Sequence, residues 1–219
     1  MDNGSGGLQS YLALPSAQRQ FASVIVAHDA LGLTPHFEHV TRRLAVEGFA
    51  VLAPDFASRY GGTPAEPGPA HEVVSMTTWD EWLADARAAF NWLTKQPPSN
   101  GKVAAIRFGL GGSALGRIVF QMKVFTSAVL FYGRAPPLEE VRKIDTRLLL
   151  NYAADDPLVN PQAAAFEKAL AKQNVDYQTL SYVGAKHGFE DDTVFAAYSQ
   201  AAADLAWART LDFLKRTTA

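Results

Sequence analysis

The chain of 219 residues contains no cysteine. That excludes a disulfide framework, a thiolate metal site and a cysteine nucleophile, and it leaves the redox compartment undecided. Charge of one sign is lacking too: 20 Lys and Arg stand against 22 Asp and Glu, a net charge of -2. Such a balance offers no basic surface to nucleic acid or to an anionic membrane. No apolar run approaches the roughly 18 residues of a membrane span. The opening "MDNGSGGLQS" has neither the basic nor the apolar region of a secretory leader, so a cytoplasmic location is expected. No phosphate loop, dinucleotide fingerprint or zinc spacing occurs, and neither a cofactor nor a metal is expected. What is present is an ordinary globular balance, 48% hydrophobic and 19% charged. The length suits one sizeable core, so a single domain over 1–219 is expected, as a monomer or homodimer.

Short Val-, Ile- and Leu-rich runs recur along the chain. "SVIVAHD" (23–29), "FAVLAPDF" (49–56), "KVAAIRFG" (102–109), "SAVLFYG" (127–133), "RLLLNYA" (147–153) and "YQTLSYV" (177–183) read as strands. Most are apolar throughout, as strands covered on both faces are. "LQSYLALP" (8–15) reads as an antiparallel edge. Helical patterns lie between them. "TPHFEHVTRRLAVEG" has Thr34 as N-cap, Pro35 at the first helical position and Phe37, Val40 and Leu44 on one face, and stops near Gly48. "TTWDEWLADARAAFNWLTKQPP" opens with Thr78 and Glu81 at capping-box spacing. Trp79, Trp82, Leu83, Phe90 and Leu93 make its apolar stripe, and Pro97 ends it. In "NPQAAAFEKALAKQN", Asn160 is the expected N-cap, and a last helix is expected from about Asp192. Strand–helix alternation predicts an α/β fold, a mostly parallel central sheet with helices on both faces. Residues 57–76, rich in Gly and Pro, read as a long lid-like loop.

In such sheets ligands bind at the carboxyl ends of the strands. There the chain offers "AHDALGL" (27–33), "APDFASRYGG" (53–62), "RFGLGG" (107–112), "AADDPLVN" (153–160) and "GAKHGFEDD" (184–192). Asp156 and then His187 are in the order acid, base of a hydrolase triad. His36 and His39, a turn apart on the first helix, read as a solvated face rather than a metal pair. His28 and His71 are candidates to line a pocket. Tyr132 and Phe189 read as core.

The chain resembles the dienelactone hydrolase family of α/β-hydrolases. The resemblance is carried by "VIVAHDALGLTPHFEHVTRRLAVEGFAVLAPDF", by "AADDPLVN" as the acid motif and by "HGF" (187–189) as the histidine motif. It covers nearly the whole chain, and the spacing fits: 47 residues from Gly109 to Asp156 and 31 more to His187. The elbow departs from the family's Gly-x-Cys-x-Gly-Gly. Here the first Gly is Arg107 and the nucleophile position is Gly109. Glycine can keep a strained elbow turn while deleting the attacking group; a plain loop glycine is the alternative. The resemblance implies an oxyanion hole from the backbone N–H groups of Ala30 and Leu110. It places Asp29 where the family has a glutamate beside the nucleophile, a turn-forming Asp being the alternative. It places Arg59 where the family has an arginine that holds a substrate carboxylate, a solvated loop charge being the alternative. The family's second such arginine is Asp191 here, with Glu190 beside it. Arg107, in a region expected to be buried, requires a partner. Ser113, four residues past Gly109, is the candidate for a relocated nucleophile, one turn inside the next helix.

The expected activity is therefore that of a hydrolase-fold enzyme without its usual nucleophile. His187 and Asp156 would act as general base on a small carbonyl substrate: a lactone, an ester or a polyketide-like enone. Hydrolysis, elimination, isomerisation or cyclisation would each fit. An ester or lactone hydrolase using Ser113, and a catalytically silent small-molecule binding protein, are the two alternatives.

Overall fold

A computed structural model of the chain describes residues 1, 7–16, 20–96, 99–109 and 113–219, and within these the side chains of 113–117 are not described. The chain, read above as one domain, divides into two compact units, Met1–Ile106 and Arg107–Ala219. Its strands form the seven-stranded, mostly parallel sheet that the apolar runs predict. β4 (Ser99–Phe108) starts in the first unit and ends in the second.

In the first unit the strand order is β1 (Ser10–Ala13), β3 (Ala50–Pro54), β2 (Phe21–Ala27), then β4. β1 is antiparallel to β3, with Ser10 opposite Pro54, and β2 is parallel to it. Every residue of β2 and β3 is buried, as their unbroken apolar sequences demand. The order reverses direction at β2. Because parallel crossovers are right-handed, that reversal puts α1 (Pro35–Val46) and α3 (Trp79–Leu93) on opposite faces. Phe37, Val40 and Leu44 bury one face of α1 as predicted. His36 is buried too, edge-on to Phe37, whereas His39 is exposed, so the two do not share a solvated face. α3 begins with the expected capping box of Thr78 and Glu81. Its buried stripe is Trp82, Asp85, Ala86, Ala89 and Leu93, rotated from the predicted one because the acid Asp85 is taken inward. Pro97 lies outside the described residues.

The predicted lid-like loop at 57–76 contains a 3₁₀ turn, Ser58–Tyr60, and a helix, α2 (Pro67–Met76). Its prolines hid the helix. Pro67 and Pro69 both fall in its first turn, where a missing N–H leaves no hydrogen bond unmade. His71 is exposed there.

In the second unit the order continues through β5 (Ser127–Phe131), β6 (Arg147–Asp155) and β7 (Tyr177–Lys186), each pair parallel. α4 (Ser113–Met122) follows β4, α5 (Asn160–Lys172) joins β6 to β7, and α6 (Gln200–Thr218) packs on β5, β6 and β7. Two boundaries differ from expectation. α6 starts at Gln200, not near Asp192, because residues 187–198 form consecutive tight turns. Val159, not Asn160, precedes α5. The Asn160 amide instead donates to the carbonyls of Ala153 and Ala154, at the irregularity that ends β6. No helix among the described residues is long and apolar enough to cross a membrane.

His28 is wholly buried between Phe37, Phe56 and Trp82. Its Nε2 accepts from the Phe56 N–H, and its Nδ1 donates to the Asp29 carbonyl. It is therefore a neutral structural imidazole rather than a pocket residue. Burial pulls its pKa below the ordinary value, against the opposing pull of the Asp29 carbonyl and the Asp55 charge. Since the folded pKa is the lower one, the unfolded chain takes up this proton first as pH falls below about 6.5. The associated stability is thus present above that value and lost below it. We expect the urea midpoint to fall between pH 7.5 and 5.5. His28→Asn should be less stable at pH 7.5 yet lose less over the same interval. An equal loss in both proteins would assign the pH dependence to other groups.

Candidate active site

Four residues of the second unit are each the first residue past a strand: Gly109 after β4, Tyr132 after β5, Asp156 after β6 and His187 after β7. This is the carboxyl edge, where α/β sheets present function. Asp156 is buried, and its Oδ1 accepts from the N–H groups of Leu158 and Val159 at 2.9 and 3.2 Å. Its Oδ2 lies 2.6 Å from Nδ1 of His187. An ionised carboxylate only accepts, so Nδ1 carries the proton and Nε2 keeps its lone pair. The His187 side chain is 27% exposed, enough for water to reach it.

Gly109 has φ of 66°, the left-handed region that a side chain enters at a cost of about 1–2 kcal/mol. Its N–H donates to the Phe131 carbonyl at 3.1 Å. Two residues earlier, Arg107 is only 1% exposed. The partner the sequence demanded is not an acid. Its guanidinium donates to the carbonyls of Gly109 at 3.1 Å and Arg134 at 3.4 Å, and Nε has no partner among the described residues. Burial lowers its pKa to about 10, so it remains a cation at neutral pH. A buried, unpaired ion costs several kcal/mol in general.

Tyr132 is the residue that sequence reading assigned to the core. It is buried, but its φ is 38°, unusual for an aromatic residue. Its ring lies 4.6 Å from the His187 ring, and its hydroxyl donates to Glu190 Oε1. The Tyr132 N–H is held by the Asn151 carbonyl at 2.8 Å. Only its place just past a strand could have singled it out. Phe189 is core as expected, packed on Tyr132 and Tyr182.

The remaining candidates lie elsewhere. In the first unit, Asp29 Oδ1 accepts from the Leu31 N–H at 2.8 Å, closing a turn that contains Ala30. Thr63 holds the same segment through the Leu33 N–H and is itself bound by the Asp55 carboxylate. Arg59 is neither a solvated charge nor directed to bulk water: it pairs with the fully buried Asp85 at 2.7 Å. Ser113 is the first residue of α4, not one turn inside it, and its side chain is not among those described. Leu110 lies outside the described residues.

A mostly parallel sheet with a left-handed turn at Gly109 after β4, an acid after β6 and a histidine after β7 is consistent with an α/β-hydrolase fold. The model of the dienelactone hydrolase family matches residues 8–218, and the chain belongs to that family. Carboxymethylenebutenolidase from a Pseudomonas species is 30% identical, over 97% of this chain and 92% of its own length. The Pseudomonas putida enzyme of the same name is 27% identical over 87% and 84%. A dienelactone hydrolase-like promiscuous phosphotriesterase from metagenomic libraries, 24% identical, shares the fold with a TM-score of 0.85, over all of this chain and 96% of its own.

Tyr132→Phe removes one hydrogen bond to a half-buried carboxylate. We expect a loss of about 1.5 kcal/mol in unfolding free energy, measured in urea, with the far-ultraviolet circular dichroism unchanged. No loss would mean that the Glu190 contact contributes nothing to the fold.

Proposed function

We propose that this chain hydrolyses a small ester or lactone without a covalent intermediate, His187 and Asp156 acting as general base on water. The observation that supports this most is the 2.6 Å bond between Asp156 and His187, in a chain that carries glycine at the left-handed turn after β4. With Nδ1 committed to Asp156, Nε2 takes a proton from water as the water oxygen attacks the carbonyl carbon. Backbone N–H donors of the kind the family resemblance implies would stabilise the tetrahedral oxyanion. As it collapses, Nε2–H protonates the departing alkoxide, and His187 returns to its starting state. The names of the two Pseudomonas relatives support an ester or lactone as the bond cleaved. The same base could draw a proton from carbon in an enone, so the substrate panel includes one.

The start of α4 at Ser113 supports a second reading, in which the Ser113 oxygen attacks the carbonyl carbon as its proton passes to Nε2 of His187, which then protonates the departing alkoxide and leaves an acyl-serine. Turnover of esters, lactones and an enone by the wild type, His187→Ala and Ser113→Ala decides between them. We expect His187→Ala to lose at least a hundredfold in kcat/KM and Ser113→Ala to stay within threefold, with no acyl adduct by mass spectrometry. An adduct on Ser113 would establish the second reading. No turnover by any form would leave a silent binding protein. Gly109→Cys gives an independent check, because φ of 66° is already the strained elbow geometry. It should introduce an acyl-enzyme and burst kinetics that the wild type lacks.

A further inference from the structure

His187 is held by two neighbours of different kinds. Asp156 accepts from its Nδ1 at 2.6 Å, and the Tyr132 ring lies 4.6 Å away, tilted by 55°. The hydrogen bond alone leaves the imidazole free to turn about the Nδ1–Oδ2 line, and with it the direction of the Nε2 lone pair. A ring packed against the imidazole removes that freedom, because close-packed groups cannot turn without displacing one another. Tyr132 also reaches the chain that carries the imidazole. β7 ends the strand order, so its carboxyl end is braced by strands from one side. Beyond it the Phe189 N–H donates to the Lys186 carbonyl and the Asp191 N–H to the Gly188 carbonyl, at 3.1 and 3.2 Å, which places Glu190 in the turns that follow His187. The Tyr132 hydroxyl donates to Glu190 Oε1, on a carboxylate that the general-base chemistry leaves unused. Hydrogen bonds to a charged acceptor are among the stronger ones. Ring and hydroxyl thus close a circuit from Tyr132 to His187, along the chain to Glu190 and back. Tyr132 is itself fixed, its N–H held by the Asn151 carbonyl at 2.8 Å and its φ at 38°. A backbone in that region persists where its surroundings over-determine it, and such geometry gathers at functional sites.

We propose that Tyr132, anchored by Glu190, is a positioning residue for His187: its ring sets the plane of the imidazole, and its hydroxyl holds the turn that carries the histidine. This rests on the reading of His187 as general base. Neither residue touches substrate or moves a proton, and Glu190 acts through Tyr132. What the pair supplies is direction. A misaimed Nε2 leaves the base in place but slows the transfer, because general-base catalysis needs the lone pair aligned with the proton it takes. The left-handed backbone at Tyr132 serves the same end, bringing the side chain of the first residue past β5 against that of the first residue past β7.

The test reads His187 directly by nuclear magnetic resonance and does not depend on turnover. The far-downfield resonance of the Nδ1 proton bonded to Asp156 is assigned by its loss in His187→Ala. At neutral pH we expect Tyr132→Leu to shift and broaden it, and Tyr132→Phe and Glu190→Ala to do so by less. Glu190→Gln keeps an oxygen for the tyrosine hydroxyl and should restore the wild-type line. In turnover of the ester and lactone panel, kcat should fall about tenfold in Tyr132→Leu and about threefold in Tyr132→Phe, with KM within about twofold. Thermal unfolding reports whether each variant folds. If Tyr132→Leu does not, Tyr132→Phe and Glu190→Ala carry the test. A wild type without that resonance would overturn the proposal. An unchanged resonance in every folded variant, whatever its stability, would make the contacts structural only and overturn it too, and so would turnover with an unchanged kcat. A changed resonance without turnover by any form would retain the positioning role and sink the hydrolytic reading. Turnover lost in His187→Ala, with the resonance unchanged in every other variant, would do the reverse.

Discussion

The left-handed turn at Gly109 is the constraint around which the second unit is arranged. A strand must stop here and a helix follow within a few residues, and φ of 66° ends the extended backbone of β4 in a single step. Both polar groups of Gly109 are committed, the N–H to Phe131 and the carbonyl to Arg107. The turn is thus held by backbone and by a neighbour, independently of any side chain at the position. From it a line of dependence runs along the strand ends. Arg107 occupies the space beside Gly133, and Gly133 follows Tyr132, whose own φ is left-handed. The Tyr132 ring lies against His187, and His187 is tied to Asp156. Movement of any one member disturbs the next, because packed interiors have no slack to absorb it.

The two buried arginines show how differently a cation can be accommodated. Arg59 meets a buried carboxylate, and the pair neutralises itself within the first unit. The cost of burying both ions is offset by their mutual attraction and close hydrogen bond. Among the described residues, Arg107 meets carbonyl dipoles alone. Dipoles solvate a cation partly, and the lowered pKa records the deficit.

Much of this was legible in the sequence. Unbroken apolar runs located the strands, and the Thr78–Glu81 spacing located the start of α3. Asp156 and His187 were found by their order and by the family resemblance of their motifs, and the structure brings them together. What escaped detection escaped for physical reasons. The helix at 67–76 begins with two prolines, which composition reads as loop although the first helical turn tolerates them. The buried face of α3 takes in Asp85 because that carboxylate pairs with Arg59, and the two are separated by 26 residues, beyond any local pattern. Tyr132 looked like the end of an apolar strand. Its role depends on backbone geometry and on Glu190, 58 residues later, and no local pattern carries either.

In the proposed reaction, glycine at position 109 would redistribute the work that an attacking side chain does. In a covalent mechanism the nucleophile is tethered, and proximity lowers the barrier substantially. In the proposed mechanism, water activated by His187 would forgo part of that advantage, so the barrier would have to be lowered where charge develops. Preorganised donors are suited to this, because they are already oriented and cost no reorganisation as the oxyanion forms. Glycine at the elbow threatens that preorganisation by its own freedom. The buried Arg107 guanidinium on the Gly109 carbonyl would restrain that freedom. On this reading the two departures from the family's motif, Arg107 and Gly109, are a single change: the second takes away a side chain, and the first restrains the backbone that remains.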